Sequence, residues 1–276
     1  MNETNWPAEL ASPEARLAVA REGERIAREA GAGLMEKLGR LDAGDVRTKS
    51  ARRDLVTVAD VEAERLIVER LRRAFPGHAI EAEEETRDAP DDARPRWFVD
   101  PLDGTVNFVH QLPAFAVSLG LYLGREPVAG VVHAPRLEET FVAATGAGAW
   151  SATGRLAVSE TEELADAILA TGFPYRRNEL PNNNLSNFDR LFGQVRGMRR
   201  MGSAAIDLAY VAAGRIDAYW ELHLDPHDLA AGACLVREAG GRVSDTEGGE
   251  EWLRGGRVVA GPAALHRALV AQVDGS

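Results

Sequence analysis

Apolar residues recur at helical spacing from Pro13 to Leu41. Leu17, Ala20, Ile26, Ala27, Ala30 and Leu34 share one stripe with charges opposite, and Ser12 before Pro13 suits an N-cap. A second amphipathic helix is predicted from about Asp60 through Ala63, Leu66, Ile67 and Leu71 to Phe75, stopped by Pro76-Gly77. Between the two, Leu55, Val56 and Val58 look strand-like, so Asp60 stands at a helix start, where it would cap the helix or face a site. Trp97 to Val99 is a short apolar run ending at Asp100. The segment from Ala114 to Pro135 reads as two buried strands around a turn at Gly124 to Pro127, and the strand-and-turn rhythm continues to Ser159.

After about Ser159 helices and strands alternate. ADAILATGF is strand-like, LSNFDRLFGQVRGM and GSAAIDLAYVAAGRID are helical, and AYWEL is a strand. HDLAAGACLVREAGG is a helix with a Gly-Gly stop, followed by the strands GRVSD and GRVVAG and a final helix, AALHRALVAQV. RNELPNNNLSN has the polar composition of an exposed loop. The expected organisation is an N-terminal α+β subdomain over residues 8–155 and a C-terminal α/β subdomain over residues 156–274.

Composition narrows the classes. With 276 residues and 45% apolar content the chain can build its own core. A formal net charge of −11 repels a phosphate backbone and an anionic membrane, so neither is an expected partner. An acidic protein that handles phosphate needs metal cations to invert the local field. The single cysteine, Cys234, excludes an intrachain disulfide and a Cys-based zinc site, and its apolar neighbours predict a buried thiol. His223 and His227 are separated by Pro226, which interrupts a shared helical face, and no P-loop is present. The start, MNETNWPAEL, lacks the pattern of a signal peptide, and no apolar run approaches the roughly 20 residues of a membrane span, so the expected location is cytoplasmic.

The candidate chemistry lies in WFVDPLDGTVNFVH, residues 97–110. Pro101 opposes regular ladder pairing, so Asp100 and Asp103 are expected on a strand-end loop, beside Gly104, which permits close backbone approach, and the Thr105 hydroxyl. The cluster Glu83-Glu84-Glu85 lies upstream and Asp228 opens a helix downstream. Such carboxylates are hard ligands suited to magnesium, and together they fit metal-assisted phosphoryl transfer to water. Taken singly, each has an ordinary reading: a turn, a solvated charge run, a helix cap.

These segments resemble the inositol monophosphatases, within the larger group of lithium-sensitive, magnesium-dependent phosphatases. WFVDPLDGTVNFVH is similar to that family's first signature and DPHDLAAGACLVREAGG to its second; the likeness runs from about Arg16 to Val273 and includes TGFPY and RMGSAAIDLAYVAAGRIDAYWE. The resemblance implies a layered α/β/α/β/α sandwich of the α/β (α+β) class, two or three Mg2+ per site, and a homodimer. It implies that Glu83, Asp100, Asp103 and Asp228, with the Leu102 carbonyl, hold metal. Thr105 and Asp60, with Glu83, would position and deprotonate the attacking water. Gly104 and Thr105 would offer amides to phosphate, Gly202 and Ser203 would lie beside the sugar-like part, and Glu221 would accept from substrate hydroxyls. His227 stands where many relatives have Trp, and the Glu triplet leaves Glu84 as the second choice of ligand. Lys49 and Ser50 match the start of a mobile early loop, with a solvated lysine the equal alternative. The expected activity is hydrolysis of a small phosphate monoester, inositol 1-phosphate first. The alternatives are histidinol phosphate on the same scaffold, or a regulatory or binding protein that retains the fold.

Overall fold

A computed structural model of the chain describes residues 6–275. Residues 1–5, part of the stretch read for a leader, lie outside the described residues, as does Ser276. Helix α1 (Pro13–Lys37) starts as expected, with Ser12 Oγ accepting from Ala15 N at 3.2 Å, but it ends short of Leu41 because Leu38 leaves the helical conformation. Strands β1 (Val46–Thr48) and β2 (Leu55–Thr57) form an antiparallel pair. Helix α2 (Val58–Ala74) follows at once, so Val58 is helical and Thr57 is the N-cap. Asp60 sits at the third helical position and closes a capping box with Thr57, because its carboxylate can reach back to the Thr57 amide.

Strands β3 (Ala79–Ala82) and β4 (Pro95–Asp103) pair in parallel. After helix α3 (Thr105–Val109) come β5 (Ala116–Leu123), β6 (Glu126–Ala134), β7 (Glu139–Ala144), β8 (Gly148–Ser151) and β9 (Gly154–Arg155). The sheet order is β3-β4-β5-β6-β7-β8-β9, antiparallel from β4 onward. The expected strand-end loop at Asp100 is instead a bulged strand: Asp100 pairs with Ser118 and Asp103 with Ala116, so that Pro101 and Leu102 together oppose Val117. Pro101 lacks the amide for regular pairing, and β4 absorbs this with an extra residue.

The remaining elements are β10 (Ile168–Thr171), α4 (Leu185–Phe192), β11 (Gly197–Arg199), α5 (Ala204–Ala212), β12 (Ala218–Leu222), α6 (Pro226–Glu238), β13 (Arg242–Ser244), α7 (Trp252–Gly255), β14 (Arg257–Gly261) and α8 (Ala263–Val270). They form a second sheet of order β11-β10-β12-β14-β13. The helix expected through LSNFDRLFGQVRGM stops at Phe192, where Gly193 caps it, and Gly197–Arg199 becomes an edge strand parallel to β10.

Alternation along β4 explains the layering. Trp97 and Val99 bury against α1 and α2, whereas Phe98 joins the core beneath α5 and α6. Helix α6 lies so close to the first sheet that a Cβ on Gly130 would stand 2.4 Å from Ala231 O. The second sheet covers the other side of α5 and α6, and its outer face packs Trp220 and Val259 against Leu191 of α4 and Leu265 and Leu269 of α8. The chain is therefore an α/β/α/β/α sandwich. One apolar core runs from Phe98 and Tyr122 to Leu208, Leu229 and Trp252, and within it Cys234 is fully buried.

Candidate active site

The N-termini of α2, α3, α5 and α6 all carry residues of one acidic cleft. Asp103, at the end of β4, projects onto the start of α5, where its Oδ2 accepts from Ser203 Oγ at 2.6 Å and Ala205 N at 2.7 Å. Asp228, third residue of α6, returns Oδ2 to the Asp225 amide at 2.7 Å. Ligand oxygens of Asp100, Asp103 and Asp228 lie within 4.8 Å of one another. Positive helix ends make this concentration of negative charge tolerable. The backbone between the two β4 aspartates is fixed as well: Leu102 N donates to Asp100 Oδ1 at 2.9 Å, and Leu102 O lies 3.1 Å from Thr105 Oγ1, sharing with Asp60 Oδ1 the single proton of that hydroxyl. Gly104 adopts φ +92°, and a Cβ there would stand 2.9 Å from Ala114 O, so the turn into α3 requires glycine.

The Glu triplet separates into three environments. Glu83 lies beside Asp100 and accepts from Lys49 Nζ at 2.7 Å, Glu84 also pairs with Lys49, and Glu85 pairs with Arg65 at the surface. Pattern reading gave no hint of Glu64. From inside α2 its buried carboxylate accepts the amides of Glu84, Glu85 and Thr86 at 2.7, 2.9 and 2.8 Å, pinning the loop that presents Glu83.

Electrostatics follow from burial and crowding. Burial, then Glu83, Asp103 and Asp228, hold Asp100 well above the usual carboxylate range. Burial and Asp228 raise Asp103 to about 7 against the bonds from Ser203 and Ala205. Burial raises Asp228 to about 6, with His227 opposing. Glu83 is held below the usual range because His227 and Lys49 outweigh its burial. Burial alone would lower His227, but Asp228, Glu83 and Asp225 hold it above its ordinary value. The cluster thus needs positive charge, and an all-carboxylate set with a free carbonyl lone pair fits a hard divalent cation.

Next to the cluster, Thr105 Oγ1 donates to Asp60 Oδ1 at 2.9 Å, while Asp60 Oδ2 accepts from Thr57 N and Thr57 Oγ1. Burial, offset in part by these bonds, puts Asp60 at about 6. The adjoining cavity of about 370 Å³ is lined by Lys49, Glu83, Asp103, Arg200, Glu221 and Asp228, among others. Gly202 lines it too, held by Asn107, whose Nδ2 donates to Ala114 O and Met201 O. Ser203, expected beside the substrate, is buried with its hydroxyl committed to Asp103. Glu221 stands on the far wall, bonded by Tyr219 Oη and raised to about 7 by burial, with Arg200 opposing.

A five-layer sandwich with this carboxylate-lined cleft defines a phosphoric monoester hydrolase. The chain belongs to the inositol monophosphatase family, whose model matches residues 17–276. It is 47% identical over 255 residues to the Nus factor SuhB of Pseudomonas aeruginosa, covering 91% of this chain and 93% of that one. It is 41% identical over 249 residues to the inositol-1-monophosphatase of Mesorhizobium japonicum, covering 90% and 93%. Among solved structures, the inositol monophosphatase from Anabaena (Nostoc) superposes with a TM-score of 0.84 at 39% identity over 92% of this chain and 94% of that one. Among the described residues no helix is long and apolar enough to cross a membrane.

Proposed function

We propose that the chain is a Mg2+-dependent phosphatase that hydrolyses inositol 1-phosphate to inositol and phosphate, with two or three ions per site. The observation that carries this reading is the convergence of Asp100, Asp103 and Asp228 beside Glu83 and the Thr105–Asp60 pair. Glu83, Asp100, Asp103, Asp228 and the Leu102 carbonyl would hold the ions. Magnesium, when bound, supplies Lewis-acid activation of water and neutralises phosphate charge.

The chain's own groups do the rest. Thr105 Oγ1, fixed between Asp60 and Leu102 O, orients the attacking water and passes its proton to Asp60, whose value near 6 leaves it ionised and ready at neutral pH. Glu83 shares in orienting that water. The amides of Gly104 and Thr105, at the start of α3, receive the phosphate. Gly202 lies along the sugar-like part, and Glu221 accepts from its hydroxyls. No covalent enzyme intermediate is needed.

The test is phosphate release from inositol 1-phosphate, histidinol phosphate, fructose 1,6-bisphosphate and a 3′,5′-bisphosphate nucleotide, each with Mg2+ and with chelator. We expect inositol 1-phosphate to be turned over fastest and chelator to abolish turnover. Faster turnover of histidinol phosphate would move the assignment to that alternative, and full activity in chelator would overturn the metal reading. The name Nus factor carried by a 47% identical relative supports a second reading, a regulatory role alongside hydrolysis. A variant without phosphatase activity that still performs the regulatory task would establish it.

A further inference from the structure

His227 differs from the other buried histidines. His78 Nδ1 accepts from Trp97 Nε1 at 3.1 Å, His133 Nδ1 meets Thr140 Oγ1 at 2.8 Å, and His266 Nε2 meets Ser244 Oγ at 2.8 Å. The His227 ring is only 6% exposed as a residue, yet neither nitrogen makes a hydrogen bond among the described residues. It lines the cleft, with Nε2 3.8 Å from Asp228 Oδ1. The ring faces the open cleft, so a bound ion can reach its nitrogens.

The first turn of α6 supplies the rest of a donor set. One ligand atom each from Asp225, His227 and Asp228 lies within 4.8 Å of the others, and Asp225 also faces the cleft. The helix cap uses Asp228 Oδ2, which leaves Oδ1 on the His227 side. Asp228 is therefore common to two triads, the all-oxygen one with Asp100 and Asp103 and a mixed one with Asp225 and His227. Oxygen-only donors suit magnesium, whereas an imidazole nitrogen favours first-row transition ions.

We propose that Asp225, His227 and Asp228 form a second type of metal position in this cleft, one that takes a divalent transition ion such as Mn2+ in preference to Mg2+. The proposal rests on the reading of Asp228 as a metal ligand. Three protein donors leave coordination positions open to water or to a phosphate oxygen.

The test uses the metal-free full chain at mildly alkaline pH, where the imidazole is free to ligate. Mn2+ and Mg2+ are titrated separately by calorimetry into wild type, His227→Gln and His227→Ala, and spin-echo spectra of bound Mn2+ are searched for nitrogen modulation. We expect nitrogen modulation in wild type that is absent in both variants. The ratio of Mn2+ to Mg2+ affinity should fall by at least the roughly 10-fold that loss of an outer-shell partner costs. Bound Mn2+ without nitrogen modulation in wild type, or an unchanged ratio in the folded variants, overturns the site. Mg2+-dependent phosphate release by wild type is measured in parallel. Its absence would overturn the phosphatase reading, while the nitrogen signal and the affinity ratio decide this one.

Discussion

Asp103 holds the start of α5 with one oxygen and leaves the other toward the cleft. Its Oδ2 is committed to Ser203 and Ala205, while no hydrogen bond among the described residues engages Oδ1. Asp103→Asn can keep the Ser203 and Ala205 contacts and lose only the charge. We expect an unchanged circular dichroism spectrum and phosphate release lowered by at least about 100-fold, the scale of a lost transition-state electrostatic contact. Wild-type turnover would remove Asp103 from the metal set. Glu221 offers a complementary pair of variants. A methyl on Gly172 would stand 2.1 Å from both Glu221 oxygens, so Gly172→Ala should displace the carboxylate that Glu221→Gln neutralises. Each should cost roughly 1–3 kcal/mol of transition-state binding for a polyol phosphate and little for a simple aryl phosphate. An equal loss on both substrates would show that Glu221 does not read hydroxyls.

At the scale of elements, the site is built where helices begin. Asp60 and Asp228 each occupy the third position of a helix and return a bond to the cap residue, so each is a helix cap that also stands at the acidic cleft. That position is why sequence could offer Asp60 as a cap or a site residue, and Asp228 as a cap or a ligand, without deciding between them. Strand alternation and the Gly and Pro stops made most of the helices and strands legible, while the five-layer arrangement came from the family resemblance. The bulge in β4 and the edge strand β11 were not, because both depend on a neighbouring strand that local pattern does not contain. Glu64 was hidden for a similar reason: inside an amphipathic helix it reads as one more surface charge, and only tertiary packing turns it onto the Glu83 loop. Glu64→Gln leaves one amide of that loop facing an NH2 group, at a cost of about 1–3 kcal/mol. We expect a lower melting temperature and faster hydrogen exchange at the amides of Glu84 to Thr86. Unaltered exchange there would dismiss Glu64 as the anchor.

For the whole molecule, the cluster is a burden on stability. A carboxyl whose folded pKa lies above its unfolded value contributes stability at pH below the unfolded value, and that contribution is lost as pH rises through the folded one. Asp100 is raised well above the usual carboxylate range, and Asp103 to about 7, so at neutral pH the folded state carries charge it would shed. In chelator, Asp100→Asn should therefore be more resistant to urea than wild type at neutral pH, with the difference narrowing as pH falls toward the ordinary carboxylate range. Added Mg2+ should reverse the order, since an ion present at about 100 times its dissociation constant adds about 2.7 kcal/mol to the form that binds it. Equal urea midpoints in chelator at neutral pH would show that the cluster carries no such strain.

The bulge in β4 also bears on how this protein can change. In a regular strand, residues three apart face opposite sides of the sheet, and only the extra residue brings Asp100 and Asp103 opposite Ser118 and Ala116, two residues apart on one face of β5. Chain length between the two aspartates is thus a variable as decisive as their identity. Surface loops tolerate gains and losses of single residues, but a deletion here would turn one aspartate away from the other while leaving both in the sequence. Descendants of this chain can drift widely in composition around the cleft, yet the count of residues from Asp100 to Asp103 is not free to drift with it.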